Sequence, residues 1–227
     1  MKKFRIIRSN IFGDPNIGIY GFATDKYCIL GIEDIKNINK IIETLNVPIK
    51  IFQIGNTNFP GIFSVGNSNG ILVSQIIQNY ELKNIKKEMK EQVIEVLKTK
   101  YTAIGNLILC NDKGAYVSEK LKRYKTKILD VLDCEVVFGN IANLEITGSA
   151  GIATNKGCLL HPDAKEDEIK NIENVLKVSV DVGTVNHGSP FVKSGIIANS
   201  YGVFVSENST GPELGRISEV FGGIDNE

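Results

Sequence analysis

The chain has 227 residues, 42% of them hydrophobic, which is enough to bury a sizeable core. Lys and Arg total 26, as do Asp and Glu, so no net field draws the molecule to nucleic acid or an anionic membrane; contact with RNA must be local, and the MKKFRIIR start is the one evident basic cluster. No apolar run approaches the ~20 residues of a membrane span and no signal-peptide pattern opens the chain, which points to a cytoplasmic protein with neither membrane nor DNA as partner.

The first expected strand, residues 4–8, leads through a loop into a hairpin whose turn reads ATDKY (23–27). That turn returns as GNSNG (66–70), CNDKG (110–114), ATNKG (153–157) and ANSYG (198–202). The closing residues Tyr27, Gly70, Gly114, Gly157 and Gly202 stand 43, 44, 43 and 45 residues apart. A fixed period of this length is the mark of a repeat architecture. Nine residues before each closing position stand Gly18, Gly61, Gly105 and Gly148, with Lys193 alone breaking the series. Polar residues ending in glycine between apolar runs predict an antiparallel hairpin, the glycine supplying a positive φ.

Lead-in strands are expected again at 47–52, 93–97, 134–138 and 178–182, and third strands after each turn, as at 71–74 and 158–160. After each hairpin the apolar period changes from 2 to 3.6. One helical face holds Ile35, Ile38, Ile41, Ile42 and Leu45; a second holds Leu121, Tyr124, Ile128, Leu129 and Leu132; a third holds Ile169, Ile172, Val175 and Leu176. A short helix follows Tyr80, with Leu82, Ile85 and Met89. The last opens at Thr210 and Glu213, which have capping-box spacing, and ends near Phe221. No lead-in strand follows it, and residues 4–8 have the right offset to fill that place. The expected fold class is therefore α/β: residues 1–227 form a single domain of five ββαβ repeats, each of about 44 residues, closed around a pseudo-fivefold axis by the N-terminal strand. A doubly wound parallel sheet fits less well, because hairpins interrupt the β-α alternation.

Internal repetition supplies a test for function: a residue the fold needs recurs at equivalent positions, whereas a residue that function needs can occur once. Cys110 shares its slot with Ala23, Gly66, Ala153 and Ala198, while Cys28 and Cys158 share another, so these read as core thiols without zinc-site or disulfide spacing. His161 and His187 are the only histidines, and His161, three residues after Cys158 on a strand, faces the opposite side and makes no simple pair with it. No catalytic residue, metal ligand or cofactor is expected. The segment 183–189 resembles a phosphate-binding loop superficially but lacks its lysine. Two places are unique. Asn106 stands where the other repeats have Ile19, Ile62, Ser149 and Ser194. The polar connection containing Thr184, Asn186, His187, Gly188 and Ser189 has no close echo. Asn67, Asn111 and Asn199 recur and are assigned to turn bonding.

The words TAIGNL (102–107), CND (110–112), TNKGCLLHP (154–162), GTVNHGS (183–189) and STGPEL (209–214) resemble the translation initiation factor 6 family over essentially the whole chain, and the length without a C-terminal extension resembles its archaeal branch. The resemblance implies a pentein fold, a five-fold pseudosymmetric α/β propeller. It implies a ribosome anti-association factor, a monomer that binds the intersubunit face of the large ribosomal subunit near the sarcin-ricin loop, touching ribosomal protein and rRNA, with no cofactor. It places Asn106 and residues 186–189 at or near the ribosome-facing surface. His187 departs from the arginine common there in eukaryotic members. Two rival readings remain: a pentein-type guanidine-modifying enzyme, whose C-terminal cysteine has no counterpart after Cys158, and a scaffold ring for some other protein.

Overall fold

In a computed structural model of the chain the described residues are 4–222. The first three residues of the basic start lie outside them. The described residues form five separate three-stranded sheets. The first holds β2 (Gly21–Ala23), β3 (Cys28–Leu30) and β4 (Ile49–Ile51); the second β5 (Ser64–Gly66), β6 (Gly70–Ser74) and β7 (Val93–Leu97). The third holds β8 (Ile108–Cys110), β9 (Gly114–Val117) and β10 (Glu135–Phe138); the fourth β11 (Gly151–Ala153), β12 (Gly157–Leu160) and β13 (Ser179–Val182). In the fifth, β14 (Ile196–Ala198) and β15 (Gly202–Ser206) are joined by β1 (Arg5–Ser9) from the start of the chain.

Every sheet has the same plan. An antiparallel hairpin is followed by a helix and a parallel third strand. The fifth unit borrows its parallel strand, with Arg5 paired to Gly202 and Ser9 to Ser206. Phe4 completes the junction by packing in one cluster with Ile217 and Phe221. The N-terminal strand thus occupies the place after the last helix, as the offsets predict. Residues 47–52 yield only the short β4, since Pro48 has no N–H for the ladder and Val47 is buried with Ile41 and Leu45.

The helices are α1 (Ile38–Leu45), the single-turn α2 (Pro60–Phe63), α3 (Asn79–Glu88), α4 (Lys125–Leu132), α5 (Glu166–Leu176) and α6 (Gly211–Gly222). Their buried stripes are narrower than expected, for Ile42 and Leu129 remain 39% and 42% exposed. The helix expected from Leu121 begins as a 3-10 turn, Glu119–Tyr124, before α4. Four of the helices also lean on a neighbouring unit's sheet: α4 on the second, α5 on the third, α6 on the fourth and α1 on the fifth.

This lean revises the role of the closing glycines. None of Gly70, Gly114, Gly157 and Gly202 has a positive φ. A Cβ added to them would instead lie 2.0, 2.2, 2.0 and 2.4 Å from the carbonyl oxygens of Val131, Val175, Val220 and Thr44, so glycine is required for close approach of the helix. The turn itself is held by the side chain at its start. Asn111 Oδ1, for example, accepts from the N–H groups of Lys113 and Gly114 (2.9 and 3.0 Å). The same amide then donates to Thr154 O and to Leu176 O at the end of α5, tying one turn to the next. Asn67 and Asn199 repeat the pattern, the latter reaching Thr24 in the first unit. Between the first and second units Thr24 has no amide to offer, and the buried Tyr27 hydroxyl donates to Asn67 O at 2.7 Å instead. The contacts therefore run from unit to unit and return from the fifth to the first.

Candidate functional site

The strands β2, β5, β8, β11 and β14 line one small cavity, with a volume of about 60 Å³. All five run from a long loop toward a hairpin turn, so the molecule has a hairpin end and a loop end. The hairpin end is occupied by its own hydrogen bonds. Asp25 accepts from Ser200, Asp112 accepts from Ser68, and Asn155 Nδ2 donates to both carboxylates (2.8 and 2.6 Å). These groups are consumed in holding the units together.

The loop end carries the residues singled out in the sequence. Asn106 closes the 3-10 turn Ile104–Asn106; its carbonyl accepts from Gly148 N at 3.0 Å, while its side chain makes no hydrogen bond among the described residues. It lines a second cavity of about 230 Å³ together with Ile19, Ile62, Ser149, Phe191 and Lys193. The glycine series sits beside it: a Cβ on Gly61, Gly105 or Gly148 would lie 2.1–2.4 Å from the carbonyl of the preceding unit's glycine. Lys193, the exception, sends its side chain along both cavities and donates from Nζ to Gly105 O at 2.5 Å. Burial away from bulk water lowers its pKa to about 8.

The connection at 184–189 proves to have echoes. Short bridges close the turns Ile11 to Asp14, Ile54 to Thr57, Ile141 to Leu144 and Val185 to Ser189. Each begins at a buried aliphatic residue and passes through left-handed backbone: Phe12 and Gly13, Gly55 and Asn56, Ala142 and Asn143, Asn186 to Gly188. The repetition was hidden because the φ > 0 residues share no identity, only a tolerance for the turn. A helix-capping glutamate pins three of the four. Glu81 accepts from Gly55 and Asn56, and Glu168 from Ala142. Glu213 accepts from Gly188 N (2.9 Å), His187 N (3.4 Å) and Thr184 Oγ1 (2.9 Å) as well as from Thr210 N in its own capping box. Burial alone would raise the Glu213 pKa, but these donors outweigh it and hold the carboxyl below the usual range.

Asn186 is likewise built in: its N–H donates to Ser209 Oγ, its Nδ2 donates to Pro15 O at 3.3 Å, and its Oδ1 is buried without a partner among the described residues. His187 and Gly188 stand exposed at the tip, and Ser189 closes the turn on Val185. Among the described residues no hydrogen bond joins this turn to Asn106. They are linked through residues 190–193, since Phe191 and Lys193 line the cavity that Asn106 also lines. Phe191 is in turn stacked edge-on against His161, whose Nδ1 accepts from Asp163 N at 3.1 Å. The sequence marked Lys193 only as a break in a series, and passed over Phe191 altogether.

Burial disfavours the thiolate form of the cysteines. Cys28 and Cys158 are wholly buried, and burial raises their pKa values far out of reach; Cys134 is raised to about 12. Cys110 is not wholly enclosed as expected but lines the central cavity, with Sγ 3.5 Å from Gly66 O, and its thiol is raised as well. What the loop end offers is a set of polar groups displayed on a repetitive, tightly tied α/β scaffold.

This scaffold belongs to the class of repeated α/β folds whose loops are held on a common frame, the place where binding groups commonly sit. A family model described as the eIF-6 family matches residues 6–220, and the chain belongs to that family. Among curated relatives, the translation initiation factor 6 of Pyrococcus abyssi is 42% identical over 224 residues, spanning 96% of this chain and 98% of its own. That of Methanococcus vannielii is 42% identical over 226 residues (97% and 100%), and that of Staphylothermus marinus 39% over 216 (93% and 95%).

Proposed function

We propose that this chain binds the intersubunit face of the large ribosomal subunit and keeps the small subunit from joining it, serving in translation initiation and in maturation of the large subunit. The observation that carries this reading is a likeness spanning 93–97% of the chain to proteins named translation initiation factor 6. The cyclic contacts support reading the fold as a pentein, an α/β propeller that folds as one domain. The loop end is the binding face: Asn106, Thr184, Asn186, His187, Gly188 and Ser189 contact ribosomal protein and rRNA near the sarcin-ricin loop, with Thr184 and Asn186 positioning the turn. The hairpin end, whose polar groups are already paired, is the weaker alternative.

The mechanism is occupancy. A monomer in the cytoplasm, needing neither metal nor cofactor, covers surface that the small subunit also needs, and lowers association by mass action. A standard interface takes ~800 Å² from each partner, under a tenth of this molecule's 10341 Å². The raised thiols support binding over guanidine chemistry. The test is addition of the purified chain to isolated subunits, followed by gradient sedimentation. Co-migration with the large subunit and loss of joined ribosomes are expected. Free migration at the top of the gradient with joining unchanged would refute the proposal.

A further inference from the structure

The four left-handed turns place a residue at one strained position: Gly55, Ala142 and Asn186 are compact there, but the first unit has Phe12, at φ 54. Glycine and asparagine suit that conformation, whereas a bulky aromatic residue is a genuine outlier. Burial does not offset the strain, because Phe12 is 69% exposed. The ring stands at a groove of about 520 Å³ that also exposes Tyr80 and Ile51, at 62% and 36%. Tyr80 is fixed by its hydroxyl, which donates to Asn56 Oδ1 in the neighbouring turn. Two carboxylates, Glu33 and Glu81, line the groove, and among the described residues no Lys or Arg does. Glu81 is engaged with backbone N–H groups, but Glu33 is exposed and has no partner among the described residues.

From this we infer that the Phe12 groove is a docking site for a basic protein segment, an apolar side chain entering between Phe12 and Tyr80 while an adjacent Lys or Arg faces Glu33. Resting on the ribosomal reading above, it identifies one contact as a basic stretch of a large-subunit protein. RNA is the poorer occupant, since a groove with two carboxylates and no cation repels phosphate. Strain kept in place for an aromatic group that the fold does not use is an expected mark of a functional contact.

The test combines stability, affinity and crosslinking. Phe12→Asn relieves the backbone strain, so its Tm should rise by about 2–4 °C. Its affinity for purified large subunits should fall by about tenfold, as for the loss of an interface anchor. Glu33→Lys should weaken binding several-fold through charge reversal. Phe12→benzoylphenylalanine, photoactivated on the large subunit, should crosslink to a Lys- or Arg-rich peptide. The inference is overturned if Phe12→Asn binds like the wild type, if it melts at or below the wild-type temperature, or if the crosslink falls on rRNA. Failure of the wild-type chain itself to bind large subunits would remove the ribosomal reading, and this site with it.

Discussion

Three side chains at the loop end show how differently single residues can be engaged. The Asn106 amide has no partner among the described residues, so Asn106→Asp should weaken large-subunit binding by ~1–3 kcal/mol with little change in melting, checked by titrating subunits and by thermal scans. Asn186 is engaged already. Asn186→Asp would set a carboxylate toward the Pro15 carbonyl with one oxygen already buried and unpaired, and should cost ~1–2 kcal/mol of stability by urea titration even before the ribosome is considered. Lys193 is the third. Below pH 8 its amine is protonated folded and unfolded alike, and the cost of burying the charge is constant. Between about 8 and the ordinary 10.5 the folded form has shed the proton while the unfolded form retains it, so this group makes stability rise with pH. Wild type should therefore gain on Lys193→Met by ~1–2 kcal/mol from pH 7 to 10, a figure reduced from the full shift because the side chain is only partly enclosed. Parallel urea titrations of both proteins measure it, and a flat difference would show that the amine is not held in a dry site.

At the scale of the element, the helix-on-glycine contact is the most demanding joint. The Cβ of Gly114→Ala would lie 2.2 Å from Val175 O, a backbone atom of α5 that cannot turn aside. Expected is a loss of ~3 kcal/mol or more with α5 levered off β9, seen as a lowered urea midpoint and faster amide exchange in 166–176. Alanine at the exposed Gly188, where nothing lies within 4 Å, should cost only the backbone strain of ~1 kcal/mol. Strands and helices were legible from period, since Ile71 to Val73, Ile41 and Leu45 are buried as their patterns require, with Ile42 the exception. The glycines were legible as a series but not in their cause, because a close approach between units has no local signature, whereas a turn does. The recurring turns were hidden for the converse reason: Phe12, Gly55, Ala142 and Asn186 satisfy one backbone geometry with four unrelated side chains. For the same reason the polar turn at 184–189 looks unique in the sequence, when only its side chains are.

For the molecule as a whole, the decisive joint is between its two ends. Without β1, β15 would lose its parallel partner, Phe4 and Ile6 would leave the cluster around Ile217 and Phe221, and α1 would rest on a sheet open at one edge. An open array of repeats would tolerate this, because each unit depends only on its neighbours and loses cooperativity gradually. A cyclic array has no such tolerance, since every unit is clamped from both sides and the loss of one junction releases two. Deleting residues 1–9 should therefore abolish the native fold at 37 °C rather than fray one unit. The intact chain should unfold in one transition, the far-UV dichroism and the near-UV signal of its seven tyrosines moving together. Separate transitions for those signals, or a truncated chain that keeps most of its dichroism, would mean that the units are a string of modules and that the pairing of β1 with β15 is dispensable. Rigidity follows from the same closure. A frame whose last unit is fastened to its first holds Asn106 in the third unit and His187 in the fifth at a constant separation, so two loops remote in sequence can meet one surface without an ordering cost at the moment of binding.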